Sequence, residues 1–119
     1  MLEVFFGGTA PENLTGPIKA FRPTHLIVID AAEMERPPGC VQVIDPSRVA
    51  DTGSFCTHSL PLSVLTGYLR EALGCQAVII AIQPASCEFG RPVCRSVARA
   101  ARRVARAILM WHCSAGSAA

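Results

Sequence analysis

The sequence predicts an α/β fold: a three-layer sandwich on a mostly parallel, twisted sheet with helices on both faces. Three observations predict it. The runs Leu2 to Phe6, Leu26 to Ile29 and Ala77 to Ile82 are short, apolar and bounded by turn or breaker residues. They are continuous rather than alternating, as strands covered on both faces are. Segments with helical spacing lie between them, which gives the order β-α-β-β-α-β-α.

Each element has a local reason. The first run stops at Gly7-Gly8, and Thr9-Ala10-Pro11-Glu12 then reads as a capping box with Thr9 as N-cap. Gly16-Pro17 keeps that helix short or kinked. The second run ends at Asp30. Val41 to Ile44 follows Pro37-Pro38-Gly39, a tight link that predicts a strand antiparallel to its predecessor. Pro61 to Leu73 reads as a helix with Pro in the first turn, leucines at positions 62, 65, 69 and 73, and Gly74 as the C-terminal stop. The last helix is expected from about Arg91 to Met110. Residues 1–113 form one domain, and residues 114–119 are expected to be a disordered tail.

Composition narrows the function. The chain has 119 residues, half of them apolar, with 11 Lys+Arg against 9 Asp+Glu. A chain of this length buries about 65% of its unfolded surface, enough for one core. A net charge of +2 fits neither a disordered acidic chain nor a generally basic nucleic-acid binder. Ala77 to Ile82 is too short to span a bilayer, and the N-terminus lacks the basic and apolar regions of a signal peptide. These features predict a cytoplasmic protein with no membrane and no nucleic-acid partner. The six cysteines show no C-x-x-C pair and read as buried or incidental thiols, with a site built on Cys56 and His58 as the alternative.

Charge is uneven along the chain. Residues 89–119 carry six arginines and no acid. On a helix the arginines share one broad face, with Val93, Val97, Ala101, Val104 and Ile108 on the opposite side. This reads as an amphipathic helix with a solvated back, or as a docking face for an acidic protein partner.

In α/β sheets chemistry gathers where the carboxyl ends of strands meet loops. Three places qualify: Gly7-Gly8-Thr9, Asp30, and the segment around His58. Asp30 and His58 offer an oxygen and a nitrogen suited to zinc, nickel or iron. Asp30 also reads as a strand-end carboxylate capping the next loop, and His58 as a loop histidine ahead of a helix. Gly7, Gly8 and Thr9 read either as a steric turn or as a cradle of backbone N–H groups for an extended substrate. The acids Glu33, Glu35, Asp45, Asp51 and Glu88 read as surface groups. No G-x-S-x-G, P-loop, G-x-G-x-x-G or H-E-x-x-H motif is present.

The fragments Gly7-Gly8-Thr9-Ala10-Pro11-Glu12-Asn13, Arg22-Pro23-Thr24, Leu26-Ile27-Val28-Ile29-Asp30-Ala31, Ile44-Asp45-Pro46, Thr57-His58-Ser59-Leu60-Pro61-Leu62 and Ile82-Gln83-Pro84 resemble, in order, the hydrogenase maturation endopeptidases. The resemblance spans about residues 4 to 108 and looks most like the hydrogenase 3 branch. It implies a phosphorylase/hydrolase-like sheet and an endopeptidase that trims a C-terminal extension from the nickel-loaded precursor of a nickel-iron hydrogenase large subunit. That precursor is the implied partner. The nickel is carried by the substrate, and no tightly bound cofactor of the chain's own is implied.

In the family an acid from an N-terminal glycine-rich loop, a strand-end Asp and a His contact the metal. The second matches Asp30 and the third His58. The first has no counterpart, and the chain is expected to lack roughly 30 to 40 N-terminal residues, the length of one strand, loop and helix. Leu2 to Phe6 then resembles the family's second strand. The competing expectation is an inactive α/β homologue that only binds a hydrogenase partner or a metal ion.

Overall fold

The computed structural model describes residues 1–8, 10–47, 54–55, 62–88 and 90–118. Expectations resting on Thr9, Asp51, Cys56, His58 and Pro61 lie outside the described residues. The chain forms a 3₁₀ turn over Pro11–Leu14, α1 over Thr15–Phe21, β1 over His25–Glu33 and β2 over Val41–Ile44. It continues with β3 over Ser54–Phe55, α2 over Leu62–Leu73, β4 over Gln76–Ile82 and α3 over Arg95–Ala118.

Among the described residues the sheet has the order β2-β4-β1-β3. Its centre is parallel, with β1 beside β4 from His25↔Gln76 to Ala31↔Ile82. The flanks are antiparallel, β2 along β4 and the short β3 along the end of β1. The α/β class therefore holds, but the sheet is mixed where a mostly parallel one was expected. The tight link at 37–39 does reverse the chain. β2 nonetheless lies beside β4 rather than β1, because β4 inserts between them.

Side chains alternate across a strand, so Leu26, Val28, Asp30 and Ala32 share one face of β1. On that face α1 and α2 pack Ile18, Leu62, Leu65 and Leu69 against Ala32, Ile44, Ile79 and Ala81. Leu69 is 2% exposed and contributes about 2–3 kcal/mol by leaving water. Thr66, also buried, donates its hydroxyl to the Leu62 carbonyl at 2.7 Å. α2 ends at Gly74, which takes the left-handed φ of 60° that glycine adopts without steric cost. α3 covers the other face, where Ala100 and Val104 pack with Ile82, and Val97 and Ile108 join them.

Five local expectations change. Residues 2–6 are not a strand: Phe5 turns inward and meets Phe21 edge-on at 6.3 Å, while Val4 and Phe6 face solvent. Pro17 does not break α1, because it sits in the first turn, where its missing N–H has no helical acceptor. α3 begins at Arg95 because Pro92 holds Arg91 out of helical geometry. Its buried stripe contains Ala100 in place of Ala101, and Val93 is outside it and exposed. α3 also continues to Ala118, through the residues expected to be a disordered tail, a segment of small residues without proline.

The loops are tied down locally. Asp45, at the end of β2, accepts the Ser47 hydroxyl at 2.6 Å and the Ser47 N–H at 2.9 Å, and lies 3.5 Å from Arg70 of α2. The Ser47 contacts, with a smaller contribution from Arg70, hold its carboxyl below the usual carboxylate range. The turn before β2 presses on α3. At Gly39 φ is 91°, and an added Cβ would lie 2.8 Å from the Ser96 carbonyl oxygen. Gly39→Ala is expected to destabilise the fold by about 2–4 kcal/mol, from backbone strain plus a clash with backbone. A lowered midpoint in urea unfolding checks this; an unchanged midpoint contradicts the close approach.

Candidate functional site

Asp30 sits within β1 rather than at its end, since the strand runs three residues further to pair with β3. Its register partner on β4 is Ala81, which is fully buried, and its neighbours along the same face of β1 are Val28 and Ala32. Asp30 is thus a half-buried carboxylate on the face shared with α1 and α2. Asp30 Oδ1 accepts the Ala31 N–H at 2.8 Å, which fixes one oxygen.

Gly7 and Gly8 form a turn in which the Ala10 N–H donates to the Gly7 carbonyl at 3.3 Å. Each glycine has a steric reason. A Cβ on Gly7 would lie 2.9 Å from Pro11 Cβ, and Gly8 has a φ of 59°. A four-residue 3₁₀ turn follows them rather than an α-helix. The described geometry is that of a tight turn. Thr9 and His58 lie outside the described residues, so their relation to Asp30 is not part of this geometry. Among the described residues no group of three or more His, Cys, Asp or Glu stands together to hold a metal ion. Cys40, Cys75 and Cys94 are free thiols, as expected, whereas Cys87 is disulfide-bonded.

The structure adds a residue that sequence reasoning passed over. Gln83, 2% exposed, follows β4 and uses its whole side-chain amide. Its Oε1 accepts the Met34 N–H at 2.6 Å and the Arg36 N–H at 3.4 Å. Its Nε2 donates to Glu33 at 2.9 Å and to the Pro84 carbonyl at 3.0 Å. Its backbone pairs with Gly39 and Cys40, at 2.8 Å in each direction. One residue therefore ties the end of β4 to the loop after β1 and to the turn before β2. Its sequence signals were a polar residue wedged between an apolar strand and Pro84, and its place in the family fragment Ile82-Gln83-Pro84, neither of which gave it a role.

A separate cavity lies elsewhere. It measures about 640 Å³ and is lined by Ile27, Val43, Ile80, Val104 and Trp111 among others. Ile27 is three residues from Asp30, so it faces the opposite side of the sheet. The chemistry proposed for Asp30 and this cavity therefore occupy different faces.

Gln83→Leu is expected to cost about 2–4 kcal/mol, because it strands the Met34 N–H and breaks the link to Glu33. Thermal unfolding of the variant beside the parent chain measures this. A loss below about 0.5 kcal/mol would contradict the role given to the amide.

Comparison with known proteins gives a consistent picture. The family model HycI, described as hydrogenase maturation protease, matches residues 1–111. The hydrogenase 3 maturation protease of Escherichia coli (strain K12) is 34% identical over 115 residues, covering 97% of this chain and 73% of the relative. The solution structure of the endopeptidase HycI from Escherichia coli superposes with a TM-score of 0.80 at 34% identity, covering 92% of this chain and 69% of that one. The crystal structure of a [NiFe] hydrogenase maturation protease HycI from Thermococcus kodakarensis KOD1 gives 0.71 at 29% identity, with 83% and 63% covered. No helix among the described residues is long and apolar enough to cross a membrane. The chain belongs to the hydrogenase maturation protease family, a family of peptidases.

Proposed function

We propose that this chain is an endopeptidase that removes a C-terminal extension from the nickel-loaded precursor of a nickel-iron hydrogenase large subunit, with Asp30 and His58 contacting the nickel. Family membership supports the reaction class. The observation that carries the site is the half-buried carboxylate of Asp30, opposite Ala81 in the carboxyl-terminal half of β1.

The chemistry is differential recognition. A carboxylate oxygen and an imidazole nitrogen are donors that nickel accepts readily. Nickel held by the precursor can take both in addition to its substrate ligands, which bridges the two proteins. A precursor without nickel loses that bridge and binds weakly, so cleavage waits for metal insertion. The metal belongs to the substrate and leaves with it. The Gly7-Gly8-Thr9 turn is the proposed contact for the extended segment to be cut. The reaction is placed in the cytoplasm.

The test is mass spectrometry of a nickel-loaded precursor incubated with the parent chain, Asp30→Asn or His58→Ala. The parent is expected to shorten the precursor, and each variant to slow that by about 10²-fold or more, the scale for losing a group that positions the reacting centre. Circular dichroism establishes that the variants are folded. Undiminished cleavage by either folded variant overturns the site, and binding without cleavage by the parent favours the inactive-homologue reading.

A further inference from the structure

The sheet face opposite Asp30 is only partly roofed. α3 rests on Ile80 and Ile82 at the centre of the sheet, yet Val43 on β2 stays 66% exposed and Ile29 on β1 48%. Between helix and strands runs the 640 Å³ cavity, within the roughly 300–1,000 Å³ range of ligand-sized clefts. Its lining is apolar apart from Arg103, the single charged lining residue among the described residues.

That arginine is one of a bank. Arg95, Arg99, Arg102, Arg103 and Arg106 are all exposed, and among the described residues no carboxylate pairs with them. Arg91, by contrast, pairs with Glu88 at 2.9 Å. At 100° per residue the five fall within an arc of about 100°, with Arg103 at the edge nearest the cavity. The free chain gains nothing from this arrangement. Like charges stand at i,i+4 spacing, and they crowd the N-terminal half of α3, where the helix dipole is already positive.

We propose that the cleft between α3 and the sheet docks a protein segment of amphipathic helical form, apolar along one face and acidic along its edge. Its apolar side chains fill the space over Val43 and Ile27 beside Trp111, and its carboxylates meet Arg103, Arg99 and Arg106. Charge complementarity selects this occupant. A second copy meeting α3 to α3 about a two-fold axis would oppose two arginine banks. A nucleic acid would find only Ser, Val and Ala between the arginines, with no aromatic stacking platform, and an apolar cleft that offers nothing to phosphates. A membrane would need the apolar stripe of α3, which is already packed on Ile80 and Ile82. The proposal stands apart from the Asp30 site, which lies on the other face of the sheet.

Trp111 lines the cleft and is the only tryptophan of the chain, so its fluorescence reports occupancy directly. Two 18-residue helical peptides without aromatic residues serve as probes, sharing one leucine face and carrying Glu or Lys along its edges. The Glu peptide is expected to shift Trp111 emission to the blue, saturably, and the Lys peptide to leave it unchanged. Arg99→Glu with Arg103→Glu is expected to weaken the Glu peptide by about tenfold or more and to admit the Lys peptide, as reversing charges at a complementary interface does. Val43→Asp is expected to abolish the shift with the arginines intact. Arg99→Gln with Arg103→Gln replaces the double variant if circular dichroism shows helix loss. Equal response to both peptides, no response to the Glu peptide, or unchanged binding by the arginine variants overturns the proposal. Tighter binding of a single-stranded oligothymidylate or of phosphatidylglycerol vesicles than of the Glu peptide also overturns it, as does dimerisation through α3.

Discussion

The parallel pairing of β1 with β4 is the constraint on which the rest of the molecule depends. Seven register positions from His25↔Gln76 to Ala31↔Ile82 build the sheet centre against which the larger elements among the described residues pack. Ile79 and Ala81 of β4 are fully buried by helices on one face, and Ile82 and Ile80 carry α3 on the other. Parallel strands need a crossover, so the chain must leave β1, travel through β2, β3 and α2, and return beside its starting point. Long-range closure of this kind is costly in entropy, and the buried Leu62, Leu65 and Leu69 of the crossover helix offset it.

The same pairing separates two kinds of surface. Alternation along β1 sends Asp30 to the face of α1 and α2 and Ile27 to the face of α3. One side then offers a half-buried carboxylate. The other offers an apolar cleft beside a bank of arginines. Gln83 links them at the carboxyl edge, because its amide secures the loop after β1 while its backbone secures the turn that presses on α3. A peptidase has use for both a site at the reacting end of its substrate and a separate surface for holding it.

Much of this was legible in the sequence where local and tertiary preferences agree. Leu26 to Ile29 and Ala77 to Ile82 are β-branched, continuous and bounded, and they became the central pair. The leucines at 62, 65 and 69 with Gly74 behind them set both the face and the end of α2. Leu2 to Phe6 failed because apolar character alone does not supply a partner strand. The reversal at 37–39 was legible, but the neighbour of β2 was not, since β4 comes almost forty residues later. Asp30 stood out by following four apolar residues, and its place opposite Ala81 depended on a register no local pattern encodes. Gln83 was hidden for the opposite reason: its four partners are backbone and side-chain groups brought in from positions 33 to 36 and 84. The arginines of α3 were visible as charge, whereas the cleft beside them needed the tilt of a helix over a sheet.

The claim that the chain recognises metal-loaded substrate through this site is tested most directly by comparing its affinity for one large-subunit precursor with and without nickel. Calorimetric titration of the parent chain against both forms is the measurement. The account predicts that the nickel-loaded form binds at least about tenfold more tightly, the equivalent of about 1.4 kcal/mol from the added ligands. Equal affinity for the two forms would contradict it.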